Sequence, residues 1–516
     1  MIAQDARVPP AESSAPRLPA VESSFRPVLA LISGRTVGFV AAFLIPLALA
    51  RILDQAEFGT YKQLFLIAAT LYGVGQLGMA ESLYYFLPHA PLGRAGAGYV
   101  ANALGALAVG GLACLVALAL GGDALSRWLG NPELARHTTA LGVYVCLMIT
   151  ASALEIIMVA RKRYPLASWA YAALDLARAG LLVAPVLVFP GLSWLLAGAV
   201  AFAAIRCGLA VWYLAREFRG GGLYPDAGLF RVQLAYAMPL ALAGLVEIVQ
   251  ASFHQYFVAY RTDPATFAIY AVGCLQIPLV EVATASVLNV MMVRMSEHLG
   301  AGRDGAAVAV WHDSTRKLAL LFAPMVGLLV VTAHAFIVLL FTERYAASVS
   351  VFIVSSLGVL LPVIAVDAVL RVRAETRALF GLNMVRLAVT VALIVPLVAW
   401  FGLVGAALAT VLAAAVAKAF GLVRIGRSMR LPVSRLLPWR GLGRIAAAAV
   451  VAAGAAALAQ KEIETPFVSL AVASAVYGVA YLAALWALGA LAESERTAIK
   501  ALIGRVGLAG TARPEI

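Results

Sequence analysis

A chain of 516 residues that is 63% hydrophobic and only 13% charged, with a mean hydropathy of +0.93, is not a soluble globular protein, in which about a quarter of residues carry charge. Apolar runs of roughly 20 residues, long enough to cross a hydrocarbon layer about 30 Å thick, recur from end to end. The chain therefore reads as an all-α polytopic membrane protein, and the placement of its net charge of +13 argues against nucleic-acid binding, as shown below.

Residues 1–27 are rich in Pro, Ser and Ala and lack the short apolar core of a secretory signal, so they read as a disordered cytoplasmic tail. Fourteen spans are then predicted, at 28–49, 62–87, 97–120, 139–160, 168–189, 192–215, 234–258, 267–291, 317–340, 348–370, 378–400, 403–423, 443–460 and 467–490. Only "FPGLS" separates the fifth from the sixth and "FGLVG" the eleventh from the twelfth, which predicts tight helical hairpins. Cys114, Cys146, Cys207 and Cys274 all lie within apolar runs and read as buried thiols rather than disulfide or metal partners.

With the N-terminus inside, 27 Lys and Arg fall on the cytoplasmic side, seven on the other, and five within spans. The positive-inside rule then places both termini in the cytoplasm, and most of the net charge is this topological signal. "ARILDQAEFGTY" (Ala50 to Tyr61) has a weaker copy in "AYRTDPATFAIY" (Ala259 to Tyr270), and superposing Asp54 on Asp263 also matches Ala50, Ala56, Phe58, Tyr61 and Leu66 with counterparts 209 residues on. Both copies connect spans on the outer side. Six spans separate them, so the two halves enter the membrane in the same orientation. The expected organisation is an N-terminal six-helix lobe (28–218), a cytoplasmic linker (219–233), a C-terminal six-helix lobe (234–425), a basic cytoplasmic loop (426–442), two further helices (443–490) and a cytoplasmic tail (491–516).

The pattern R-x-L-x-x-x-E-F-G-x-Y of Arg51 to Tyr61 resembles the first external loop of Wzx-type polysaccharide flippases, in the multidrug/oligosaccharidyl-lipid/polysaccharide (MOP) exporter superfamily. "FTERYAASVSVF" (341–352) is similar to a segment before their tenth span, with Thr342 in place of a glycine, and Asn383 with "FGLVGAALAT" (401–410) resembles their eleven–twelve hairpin. The resemblance covers roughly 28–425. It implies two pseudo-symmetric lobes in a V shape like that of MATE transporters, a cationic central cavity and alternating access. The implied substrate is a polyprenyl-diphosphate-linked oligosaccharide moved across a bacterial inner membrane for lipopolysaccharide, O-antigen or exopolysaccharide synthesis. A polysaccharide polymerase and a chain-length regulator are implied partners, beside the membrane lipids.

Ionisable groups inside spans cost about 2.5–3.5 kcal/mol each on insertion scales, so they usually face protein or water and often carry function. The cations Arg35, Arg178, Arg206, Arg386 and Lys418 are candidate substrate contacts, because a diphosphate needs cationic donors and arginine offers a planar fork. Arg35 is the preferred one. Snorkelling to lipid headgroups is the alternative for Arg35 and the better reading for Lys418, and an intrahelical pair with Asp175 is the alternative for Arg178. Among the acids, Glu247 leads a stripe continued by Gln250 and His254 on the seventh span, suited to binding and releasing a coupling proton. His254 is expected at a wetted cavity mouth. Glu81, in "GMAESLYYFLP", is a candidate partner for Arg35, and Glu281 is a further coupling candidate. Glu155 and Asp367, beside Arg161 and Arg371, are expected to form structural or gating pairs there.

No nucleotide loop, metal cluster or catalytic triad is legible, so no cofactor is expected and uphill transport would draw on H+ or Na+ or on substrate removal. Two alternatives stay open. One is an ion-coupled multidrug exporter, against which the first span offers Arg35 and no acid. The other is a membrane sugar polymerase or ligase, which would need more external catalytic equipment than these loops provide.

Overall fold

The computed structural model describes residues 25–90, 94–218 and 222–491, with side chains, Arg94 apart, from residue 40 onward. The expected N-terminal tail, except its last three residues, the C-terminal tail beyond Leu491 and positions 219–221 of the linker lie outside that range. Among the described residues the chain forms only helices and turns, as a bilayer demands of any segment that must satisfy its own backbone polar groups.

The first lobe comprises α1 (Phe25–Ile52), α2 (Gln55–Gly75), α3 (Met79–His89), α4 (Arg94–Trp128), α5 (Glu133–Thr150), α6 (Ala153–Ala160), α7 (Tyr164–Val188) and α8 (Leu192–Glu217). The second comprises α9 (Ala227–Arg261), α10 (Pro264–Gly273), α11 (Pro278–Gly300), α12 (Asp304–Val331), α13 (Ala333–Phe341), α14 (Val349–Leu357), α15 (Val366–Val372), α16 (Thr376–Phe401) and α17 (Leu403–Met429). A short α18 (Val433–Leu436) leads to α19 (Trp439–Ala459) and α20 (Pro466–Ala487). Among the described residues twelve stretches are long and apolar enough to cross a membrane, and α2–α3, bent by 41°, makes a thirteenth. The first expected span falls on α1, whose described apolar part is Val40–Ile52.

The internal repeat has a physical basis. Asp54 and Asp263 are both N-caps with extended backbone, and their carboxylates accept from the N–H groups of Glu57 and Thr266. Each cap starts a helix that buries Phe58 and Tyr61, or Phe267 and Tyr270, in the same packed cluster. The two starts cross: a Cβ on Gly59 would stand 1.8 Å from the Pro264 carbonyl oxygen. Only glycine allows that approach.

Both lobes break their fourth span. The α5–α6 span turns at Ala151–Ser152, and 209 residues later the stretch from α14 to α15 passes through a 3-10 turn, Gly358–Val363, that contains Pro362. The hairpins between α7 and α8 and between α16 and α17 turn on Gly191 (φ 136°) and Gly402 (φ 58°). Outside the repeat, α19 and α20 pack on α12 through Ala448, Ala452, Ala456 and Ala473, small residues that let backbones approach. The Tyr481 hydroxyl donates to the Leu320 carbonyl at 3.3 Å.

Candidate functional site

The lobes interlock at the end that bears the repeated loops. The Arg51 guanidinium donates to the Leu339 carbonyl at 2.6 Å, and Arg344 returns bonds to the carbonyls of Arg51 (3.4 Å) and Leu53 (3.5 Å). Gln55 donates to the Arg344 carbonyl, and the rings of Phe58 and Tyr345 meet edge to face at 5.6 Å. Away from this end the lobes touch along α9, which packs against α2, α3 and α4, while α1 meets α11 and α13 only sparingly. Most of α11 is left unburied, Met291 and Met295 excepted.

Each lobe contains a carboxylate–cation pair joining its broken fourth span to its sixth. Glu155 on α6 accepts from Arg206 on α8 at 2.8 Å, and Asp367 on α15 accepts from Lys418 on α17. The partners are 51 residues apart in both lobes, so the pairs join corresponding helices of the two lobes, three residues out of the register set by Asp54 and Asp263. They correct the expectation that Glu155 and Asp367 would use Arg161 and Arg371 at their own helix ends. Lys418 does not snorkel, because a carboxylate on the neighbouring helix is within reach. The first pair is nearly dry, with side chains 5% and 14% exposed.

Along the α1–α7 seam the Asp175 carboxylate lies against Gly38, where a Cβ would be 2.1 Å from its oxygen. Asp175 is within electrostatic reach of both Arg178 and Arg206. The Arg178 Nε is buried without a hydrogen-bond partner. Arg35 lies on α1 three residues before Gly38, and its side chain is outside the described part.

In the second lobe, turning the Gln250 amide so that its oxygen faces Arg386 gives contacts of 3.0 and 3.3 Å with Nε and Nη1. His254 is hydrogen-bonded to the Tyr270 hydroxyl at 2.6 Å, not left at a wetted mouth. The expected Glu247 stripe divides: Gln250 is buried, His254 half-buried and Glu247 exposed, though Glu247 acts electrostatically on Arg386. Glu81 and Glu281 are exposed on α3 and α11, and the described contacts bring neither to the other candidates. Sequence reasoning missed Lys62. Counted with the basic residues of the outer side, at the first position of the second expected span, it sits two turns inside α2 with its ammonium 5.4 and 5.6 Å from the Phe58 and Tyr61 ring centres. Its position eight residues after an N-capping aspartate was the available signal.

Two six-helix lobes joined at one end, with cations and ion pairs inside each, define a transporter of the MOP superfamily fold. The profile of the polysaccharide biosynthesis protein family matches residues 24–288, just over half of the chain, and the chain belongs to that family. A profile of the lipid II flippase MurJ matches residues 262–478. Among solved structures the chain is similar to lipid II flippase MurJ in an inward closed conformation, at 12% identity and a TM-score of 0.68 over 90% of this chain and 99% of that one. It is also similar to an inward-facing multidrug resistance MATE transporter (14%, 0.55, 80% and 98%) and to a MOP superfamily transporter from Pyrococcus furiosus (15%, 0.54, 80% and 95%). At these identities the likeness is one of fold. A search of curated proteins finds no significant match.

Proposed function

We propose that this chain flips a polyprenyl-diphosphate-linked oligosaccharide across a bacterial inner membrane by alternating access, for lipopolysaccharide, O-antigen or exopolysaccharide assembly. One observation carries the reading: a polysaccharide-biosynthesis profile over the first lobe and the start of the second (24–288) continues as a lipid II flippase profile over residues 262–478. The termini are cytoplasmic and the interlocked loop end is external, in keeping with the 27-to-seven split of basic residues. A polymerase and a chain-length regulator would receive the product.

The diphosphate would be met along the α1–α7 seam. Arg178 has donor capacity to spare there, Arg35 lies a turn before Gly38, and Lys62 waits nearer the external end without a described carboxylate partner. Arg206 and Lys418 are already committed to carboxylates and serve to tie each lobe together. Coupling to a proton through Glu247 belongs to the same proposal. Sodium suits that place less well, because the Arg386 guanidinium repels it.

The test is headgroup translocation in proteoliposomes containing a defined lipid-linked oligosaccharide. Arg178→Gln should slow flipping about tenfold or more, the scale of one charge-assisted hydrogen bond. Arg178→Lys should keep part of the rate, since charge survives without the fork. Wild-type protein that moves a cationic drug and leaves the lipid-linked sugar in place would establish the multidrug reading instead. For coupling, an imposed pH gradient should accelerate the wild type and not Glu247→Gln.

A further inference from the structure

The two intralobe ion pairs join corresponding helices of the two lobes, yet their surroundings differ. Glu155–Arg206 is shut in, whereas the Asp367 side chain is 41% exposed because a cavity of about 340 Å³ opens beside it. That volume is at the lower end of small-molecule sites. Its walls bring together Thr284 of α11, Asp367 of α15, Asn383 and Arg386 of α16 and Lys418 of α17. Asn383 and Arg386 are three apart and so share one helix face.

The chemistry inside is donor-rich. Lys418 is held by Asp367. Arg386 is exposed toward the space it lines, and among the described residues its polar contact is the neutral Gln250 amide, with no carboxylate at ion-pair distance. The Thr284 hydroxyl is buried and has no partner. Two cations thus share one lining carboxylate, Asp367, which also acts electrostatically on Arg386, while Glu247 acts on Arg386 more weakly from outside the lining. A cation entering would be repelled by a guanidinium and an ammonium. An ion with several acceptor atoms would satisfy the guanidinium, the Asn383 amide and the Thr284 hydroxyl together.

We propose that this cavity of the second lobe binds a phosphate-type oxyanion, at a site separate from the α1–α7 seam assigned to the substrate diphosphate. Free inorganic phosphate and the phosphate of a membrane lipid headgroup share this chemistry. Occupancy would complete the polar lining between α11, α16 and α17 and stiffen the lobe as a rigid body.

The experiment uses the purified full chain in detergent and follows thermal unfolding while inorganic phosphate is titrated against sodium chloride at matched ionic strength. Phosphate should raise the midpoint saturably beyond the chloride control. Arg386→Gln and Thr284→Val should each weaken the response about tenfold or more, and Lys461→Ala, at the turn between α19 and α20, should leave it intact. Thr284→Val keeps the test informative if Arg386→Gln fails to fold. Nanodiscs of phosphatidylcholine with and without phosphatidic acid then separate the sources. Loss of the phosphate response when phosphatidic acid is present assigns the site to a lipid headgroup, and its persistence assigns it to the free ion. A phosphate response no larger than that of chloride, or one unchanged in Thr284→Val and in a folded Arg386→Gln, overturns the proposal.

Discussion

Glu155 and Arg206 show how much a single side chain can decide. Removing one partner of a buried pair leaves the other charged in a dry environment, at a cost of about 3–5 kcal/mol, whereas replacing both with apolar groups of similar size is often neutral. Glu155→Gln should therefore lower the thermal midpoint in detergent sharply, and Glu155→Leu combined with Arg206→Met should recover most of the loss. If the double variant is as unstable as the single, the pair does more than satisfy itself. Every intramembrane charge in this chain is visible in the sequence, but its partner is not. Apolar periodicity assigns Glu155 to a helix, yet the helix that packs beside it is 51 residues away. The equal 51-residue spacing in both lobes was the one written clue. Gly59 belongs to this scale too: Gly59→Val would drive a side chain into the Pro264 carbonyl, 1.8 Å from where its Cβ must sit, and should abolish transport at unchanged membrane insertion.

At the level of elements, the turn between α15 and α16 is tied to the end of α17. Glu375 accepts from Arg373 (3.4 Å), Arg424 (2.9 Å) and Ser428 (2.5 Å). Burial pushes its carboxyl up, but the hydrogen bonds from Ser428, Arg424 and Arg373 outweigh that and hold it below the ordinary 4.5. A folded value below the unfolded one adds stability that is complete above the unfolded value and is lost as pH falls through the folded one. The thermal midpoint should therefore drop as pH is lowered from 5 to about 3, and Glu375→Gln should flatten that part of the profile. An equally steep profile in the variant would place the titration elsewhere. Caps of this kind were partly legible: Asp54 and Asp263 stand ahead of apolar runs as N-caps do, and the alignment of the two copies rests on them. The α2–α3 bend at Leu77–Gly78 was not legible, since it depends on what packs against the freed backbone, whereas the 3-10 turn at Gly358–Val363 falls on an in-span proline, Pro362, that the sequence shows.

For the whole molecule, the proposed alternating access requires the interlocked end to open. With the four native cysteines replaced, Gln55→Cys paired with Arg344→Cys should form a cross-link that stops flipping, and a reductant should restore it. Flipping that continues in the cross-linked protein would rule out opening at that end. In intact cells a single Gln55→Cys should react with an impermeant thiol reagent from outside and Gly302→Cys should not; the reverse pattern would invert the orientation. The sequence by itself determined the membrane-spanning character, the helical class, the approximate span positions and the repeat, because each follows from local apolar length and short-range pattern. Only the tertiary structure decided which charges pair, that Lys62 lies two turns inside a helix over the Phe58 and Tyr61 rings, and that one lobe is hollow beside its ion pair where the other is packed. Those outcomes depend on contacts between helices far apart in the chain, and in an environment of low dielectric constant a difference of a few ångströms separates a free cation from a committed one.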